Sequence, residues 1–167
     1  MPVTEIEIGR GKRGRAAYAF DDIAIVPSRR TRDPEEVSTH WQIDAYRFEI
    51  PLMAAPMDSV MSPSTAVLLG KLGGLGVLDL EGLWTRYEDP EPLLTEIARL
   101  DVDGATRRLQ QLYDEPVREE LIARRLREIR DGGVTVAGAL SPQRVKRYHE
   151  AVLDAGDDPS VLRGTTP

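Results

Sequence analysis

Apolar residues gather in three short runs, at 50–55, 75–80 and 134–140, separated by stretches of helical spacing. Runs of this length that alternate with amphipathic stretches predict parallel strands joined by crossover helices. After the first run, Ser62-Pro63 provides a cap and a first-turn proline. Ala66, Leu69 and Leu72, with Val67 and Leu68 beside them, then form the broad face of a helix covering a sheet. Gly73-Gly74 closes that helix and leads into the second run. Ser141-Pro142 repeats the start signal, and a helix over 143–154 closes at Gly156. Val161-Leu162 opens a fourth strand.

Between the second and third runs the chain turns highly charged while keeping helical periodicity. Asp89-Pro90-Glu91-Pro92 starts one helix with Leu93, Leu94, Ile97 and Leu100 on one face. Ala105, Leu109 and Leu112 suggest a second, and Leu121, Ile122, Leu126 and Ile129 a third that ends at Gly132-Gly133. This is more than one crossover requires, so 83–132 is expected to be a helical insertion.

Ahead of the first run the pattern is weaker. Val3, Ile6 and Ile8 alternate before a glycine- and arginine-rich stretch, which suggests a short edge strand and an arm. Asp21-Asp22 reads as a turn, with Ile23, Ile25 and Val26 expected to pack and Pro27 to end the run. Trp41, Ile43, Ala45 and Phe48, spaced by about two, suggest a short strand or hairpin arm over 39–47. The expected organisation is therefore an arm with short strands (1–48), two core strands (49–82), the insertion (83–132), and a third strand, helix and start of a fourth strand (133–167).

Composition narrows the picture. Hydrophobic residues at 41% and charged residues at 30% of 167 are globular values, and a net charge of −6 argues against nucleic-acid or anionic-membrane partners. Arg10, Lys12, Arg13, Arg15, Arg29, Arg30 and Arg32 make the first 32 residues an exception, read as a solvated arm. No cysteine is present, which excludes disulfides, thiolate metal sites and a cysteine nucleophile within these residues. No membrane span and no signal-peptide core is evident, so a cytoplasmic location is the default.

Ligands of parallel sheets gather at the carboxyl ends of the strands, which puts Met57, Asp58 and Ser59 where a site would be built. Other candidates read as structural. Asp21 and Asp22 are adjacent and would point to opposite faces of a strand. His40 lacks an acidic or thiol partner at metal-ligand spacing, and His149 falls on the polar, solvated side of its helix. Gly73-Gly74-Leu75-Gly76 precedes a strand, whereas a phosphate-cradling loop follows one, so close helix packing is its expected role.

Phe20-Asp21-Asp22-Ile23 with Val26-Pro27, the stretch from Pro51 through Met57-Asp58 to Val60, and Gly73-Gly74-Leu75-Gly76 occur in an order and spacing that resemble the opening of the IMP dehydrogenase and GMP reductase family. Val26-Pro27-Ser28-Arg29-Arg30-Thr31-Arg32, Trp41-Gln42-Ile43-Asp44-Ala45-Tyr46-Arg47-Phe48 and the run from Gly73 to Gly82 are most similar to its actinobacterial IMP-dehydrogenase-related branch, the third paralogue.

The resemblance implies an α/β fold, the amino-terminal portion of a TIM (β/α)8 barrel, incomplete here, usually assembled as a tetramer. It implies hydride transfer at the purine C2 of IMP or GMP with NAD or NADP, through a cysteine adduct, in guanine nucleotide metabolism and GMP biosynthesis. Met57 then contacts the purine or ribose, with Ala55 and Asp58 in the same pocket. Ala55 stands where the family has a serine, which removes one donor to the nucleotide, and Asp58 reads as a loop-organising acid. Arg163, Gly164 and Thr165 stand on the cofactor side, where the family has an aspartate facing the cofactor. Asp79-Leu80-Glu81-Gly82 replaces a family histidine and asparagine, and the 83–130 stretch takes the place of regulatory modules.

The nucleophilic cysteine, the phosphate loops and the water-activating segment of the family match nothing in these residues. The expectation is thus a truncated member that binds no cofactor alone and carries no catalytic residue. The alternative is a non-catalytic half-barrel that pairs through its open strand edge with itself or with a full-length paralogue.

Overall fold

A computed structural model describes residues 5–15, 17–26 and 33–153, with the backbone of 161–163. Val3, Pro27, Ser28, Arg29, Arg30, Arg32, Gly156, Gly164 and Thr165, together with the side chain of Arg163, lie outside the described residues, and so do the expectations placed on them.

The chain divides into two units, Met1–Ser38 and Thr39–Pro167. In the first, β1 (Glu5–Gly9) and β2 (Lys12–Arg15) form an antiparallel hairpin pairing Glu5 with Arg15 and Ile6 with Gly14. Gly11 turns it at a φ of 71°, a conformation that glycine adopts without a Cβ clash. Asp22 serves as a cap, its Oδ2 accepting the Ala19 N–H at 2.9 Å in a single 3-10 turn, Phe20–Asp22. The expected packing of Ile23, Ile25 and Val26 is not met: they are 58%, 98% and 84% exposed. Apolar spacing predicts burial only where a partner surface exists, and Ile23 to Val26 run as irregular chain.

The second unit opens with β3 (Trp41–Ile43) and β4 (Tyr46–Phe48), an antiparallel hairpin rather than one strand. Its turn uses Asp44 at a φ of 50°, which a short polar side chain tolerates. Trp41 stacks on Phe48 with ring centroids 4.8 Å apart and donates its indole N–H to the Ile50 carbonyl at 2.6 Å.

The core strands are shorter than the apolar runs. They are β5 (Met53–Ala54), β6 (Leu75–Gly76), β7 (Leu78–Asp79), β8 (Ala137–Ala139) and β9 (Val161–Arg163), all pairing in parallel. Only Val77 separates β6 from β7, so 75–79 is one extended run that pairs with β5 through its first half and with β8 through its second. The strands thus follow one another in chain order.

Alternation along 75–80 sorts the two faces. Leu75 and Val77 join Phe48 and Ala137 against the β3–β4 hairpin. Leu78 and Leu80 face the other way, into a cluster with Ile122, Leu126, Ile129 and Tyr148. That cluster is built by α1 (Pro63–Lys71), α4 (Glu119–Asp131) and α5 (Pro142–Leu153), with α1 packed on α4 and α4 on α5. Ser62 caps α1 as expected, accepting the Thr65 N–H at 3.1 Å. Gly76 allows close approach, since a Cβ there would lie 2.7 Å from the Ala66 Cα.

The 83–132 stretch divides. Because α4 lies in the helix layer between α1 and α5, it is the crossover itself. The added elements are the Leu83–Thr85 3-10 turn, which packs on α4, and α2 (Glu91–Ile97) and α3 (Val102–Tyr113), which pack on each other.

Candidate functional site

The carboxyl ends of β5, β7 and β8 feed three loops, at 55–60, 80–83 and 140–141, and side-chain carboxylates tie them together. Asp58 Oδ2 accepts the Leu83 N–H at 2.8 Å and the Tyr113 hydroxyl at 2.5 Å. Asp79 Oδ1 accepts the Glu81 N–H at 2.9 Å, and Glu81 Oε1 accepts the Ser141 N–H at 2.5 Å, at the start of α5. Arg86 completes the group: it donates to the carbonyls of Glu81 at 3.1 Å and Tyr113 at 3.0 Å and to that of Glu115, and its guanidinium lies 5.0 Å from the Tyr113 ring centre.

Burial sets the electrostatics. Asp79 is pushed up to about 6, chiefly by removal from water, and further by the charges of Asp58 and Glu81. The Glu81 N–H and Arg86 pull the other way. The Tyr113 hydroxyl is held well above the ordinary phenol range by burial and then by its bond to Asp58 and that residue's charge. Asp79 is therefore an acid that exchanges a proton near neutral pH, a property suited to proton transfer.

Met57, Asp58, Asp79, Leu94, Leu109 and Tyr113 line a cavity of about 340 Å³ between these loops and the α2–α3 pair. A second cavity, of about 290 Å³, lies between α1 and α2 and is lined by Asp58 and Trp84. Asp58 Oδ1 and the Trp84 indole N–H are buried without a hydrogen-bond partner among the described residues. Among those residues no group of three or more His, Cys, Asp or Glu is arranged to hold a metal ion.

Of the residues singled out in the sequence, Ala55 is exposed and its carbonyl accepts the Met57 N–H at 2.9 Å, while Met57 is 51% exposed at the cavity wall. Asp58 is partly buried, with its Oδ1 fully so, and Ser59 beside it is exposed; both line the cavity. Arg163 pairs with Ala139 through the backbone of β9. Sequence reasoning missed Tyr113 and Arg86. A tyrosine closing an amphipathic helix and an arginine in a charged stretch carry no signal of a partner far away in the chain. Asp79 did leave a trace, as an acid interrupting the apolar run 75–80.

Comparison with known proteins gives consistent relatives. Residues 17–86 match the model described as "IMP dehydrogenase / GMP reductase domain". An uncharacterized oxidoreductase of Mycolicibacterium smegmatis is 43% identical over 96% of this chain, and one of Mycobacterium bovis is 46% identical over the same share. An inosine-5'-monophosphate dehydrogenase of Methanocaldococcus jannaschii is 34% identical over 38% of the chain and 13% of its own length. Among solved structures, an IMP dehydrogenase/GMP reductase-like protein of Corynebacterium glutamicum superposes with a TM-score of 0.79 at 42% identity, over 96% of this chain and 44% of its own. The chain likewise spans 44% of the length of the mycobacterial relatives.

Proposed function

We propose that this chain, a member of the IMP dehydrogenase / GMP reductase family through residues 17–86, supplies the first four strands of a (β/α)8 barrel and one wall of its nucleotide pocket. Parallel strands in chain order with helices on one face support the barrel reading. The observation that carries the pocket reading is Met57, half exposed at the carboxyl end of β5 on a cavity whose remaining walls come from β7 and α2–α3. In this reading Met57 contacts the purine or ribose of IMP or GMP, Ala55 lines the same pocket, and Asp58 organises the loop.

The whole protein's reaction is NAD- or NADP-linked oxidation or reduction at the purine C2. Bound there, the nicotinamide would exchange hydride with the purine. The described strand ends do not fit its pyrophosphate: Asp58, Asp79 and Glu81 are acidic, and Arg86 turns its guanidinium on carbonyl oxygens. They suit an uncharged ring or a sugar. The family's covalent route needs a thiolate, and the 167 residues hold none, so this polypeptide by itself does not turn over. A cytoplasmic location and assembly as a tetramer belong to the same reading.

A steady-state assay of the purified chain with IMP or GMP and either nicotinamide cofactor tests the inactivity. No sustained change in reduced nicotinamide is expected, and sustained turnover would refute it. Thermal stability should rise by no more than about 1 °C at millimolar nucleotide.

A second reading is favoured by β5, which pairs on one side alone among the described residues and leaves Leu52 and Met53 at 52% and 48% exposure. In it the chain is a non-catalytic half-barrel that pairs through this edge with a second copy or a full-length paralogue. A discrete dimer in light scattering, with neither nucleotide binding nor turnover, would favour it.

A further inference from the structure

We propose that Tyr113, contributed by the added α2–α3 pair, is a positioning residue for the Met57 loop: its hydroxyl holds Asp58, and through Asp58 it sets where Met57 stands in the pocket. The inference rests on the nucleotide-pocket reading and extends it to a part of the chain outside the strand-helix repeat.

Three observations support it. First, among the described residues, the hydrogen bonds leaving 55–60 for distant parts of the chain both end on Asp58 Oδ2, from Leu83 N–H and from the Tyr113 hydroxyl, 25 and 55 positions away. The other bonds of this loop are internal, Met57 N–H to Ala55 and the Val60 and Met61 N–H groups to the Met57 carbonyl. Second, the Asp58 carboxylate is confined on its remaining side, because Gly82 packs so close that a Cβ there would lie 2.2 Å from Oδ1. Third, Tyr113 is itself held. Arg86 stacks on its ring and donates to its carbonyl, so the hydroxyl presented to Asp58 has little freedom. A bond to a charged acceptor is of the strong class. Its loss leaves the backbone bond from Leu83 as the loop's single distant tether.

Hydrogen exchange on the purified chain, wild type against Tyr113→Phe, tests this without any ligand. Expected is exchange roughly tenfold faster at the Val60, Met61 and Leu83 amides in the variant, with the Leu126 and Ile129 amides of α4 unchanged. Unchanged rates at Val60, Met61 and Leu83 would overturn the proposal, and so would an equal rise in α4, which would mark a general loss of stability. Should Tyr113→Phe fail to fold, Asp58→Asn provides the second readout. With tyrosine ring carbons labelled, one phenol of the wild type should resist ionisation to higher pH than the rest, and in Asp58→Asn it should ionise earlier. A wild type lacking a late-ionising phenol, or a variant in which that phenol ionises no earlier than in the wild type, overturns the proposal equally. Addition of IMP to methyl-labelled chain then separates the two levels. A Met57 methyl that never responds while the exchange difference holds removes the pocket reading and leaves the tether standing.

Discussion

Arg125 donates its Nε–H to the Trp84 carbonyl at 3.0 Å while its guanidinium lies 5.5 Å from the centre of the Trp84 ring. This arginine is 4% exposed, and its other donors reach the carbonyls of Tyr87 and Glu88 and both oxygens of Glu128. It is how α4 carries the 84–88 segment, from which α2 departs. Replacing Arg125 with Met should cost about 2–4 kcal/mol, because the carbonyls lose their donors while the volume stays filled. Urea denaturation measures it, and a loss under about 1 kcal/mol would contradict the assignment.

Gly82 is required for space and not for its backbone angles. A methyl at this position collides with Asp58 Oδ1, so Gly82→Ala should destabilise by roughly 1–3 kcal/mol. The penalty should shrink by half or more in an Asp58→Ala background, as a double-mutant cycle would read. Equal penalties in the two backgrounds would mean that the clash is elsewhere.

Asp79 ties stability to pH. Its folded pKa of about 6 lies above the unfolded value of 3.8, so the folded state binds the proton more tightly between those limits. Its contribution is present in full below the lower value and is lost as pH rises through about 6. The loss is on the order of 2–3 kcal/mol at most. Other carboxylates titrate in the same range, so the comparison is with Asp79→Asn, which should be the more stable protein at about pH 7 and should lose the advantage near pH 4. Parallel stability curves for the two proteins across this range would rule out the burial effect.

Met57 offers a test of the pocket that stability does not confuse. At 51% exposure its truncation to Ala should change stability by less than about 1 kcal/mol. In methyl spectra of the chain, which has four methionines, millimolar IMP or GMP should move the Met57 resonance further than that of the buried Met61. A larger shift at Met61 would contradict a direct contact with Met57.

Some of this was legible in the residues. The Ser62-Pro63 and Ser141-Pro142 starts and the apolar faces of α3 and α4 depend on spacing within a few positions, but the expected face of α1 is met only in part: Ala66 is buried, whereas Leu68 and Leu72 are 59% and 63% exposed. The exposure of Ile23, Ile25 and Val26 was not legible, since an apolar residue reads the same whether or not a surface waits for it. Nor was the role of α4 as the crossover helix, because α2, α3 and α4 share one charged, amphipathic character and differ in which helices lie beside them.

The candidate site divides along the same line. The order of apolar runs, the loop after the first of them and the absence of any thiol were determined by the amino acids as written, since each is a local or compositional property. That Tyr113 meets Asp58, that Glu81 reaches Ser141, and that Asp79 sits deep enough for burial to push its pKa up to about 6 were decided by tertiary structure alone. Hydrogen bonds and desolvation act over a few ångströms of space, and nothing in the spacing of residues along a chain records which distant groups folding will bring within that reach.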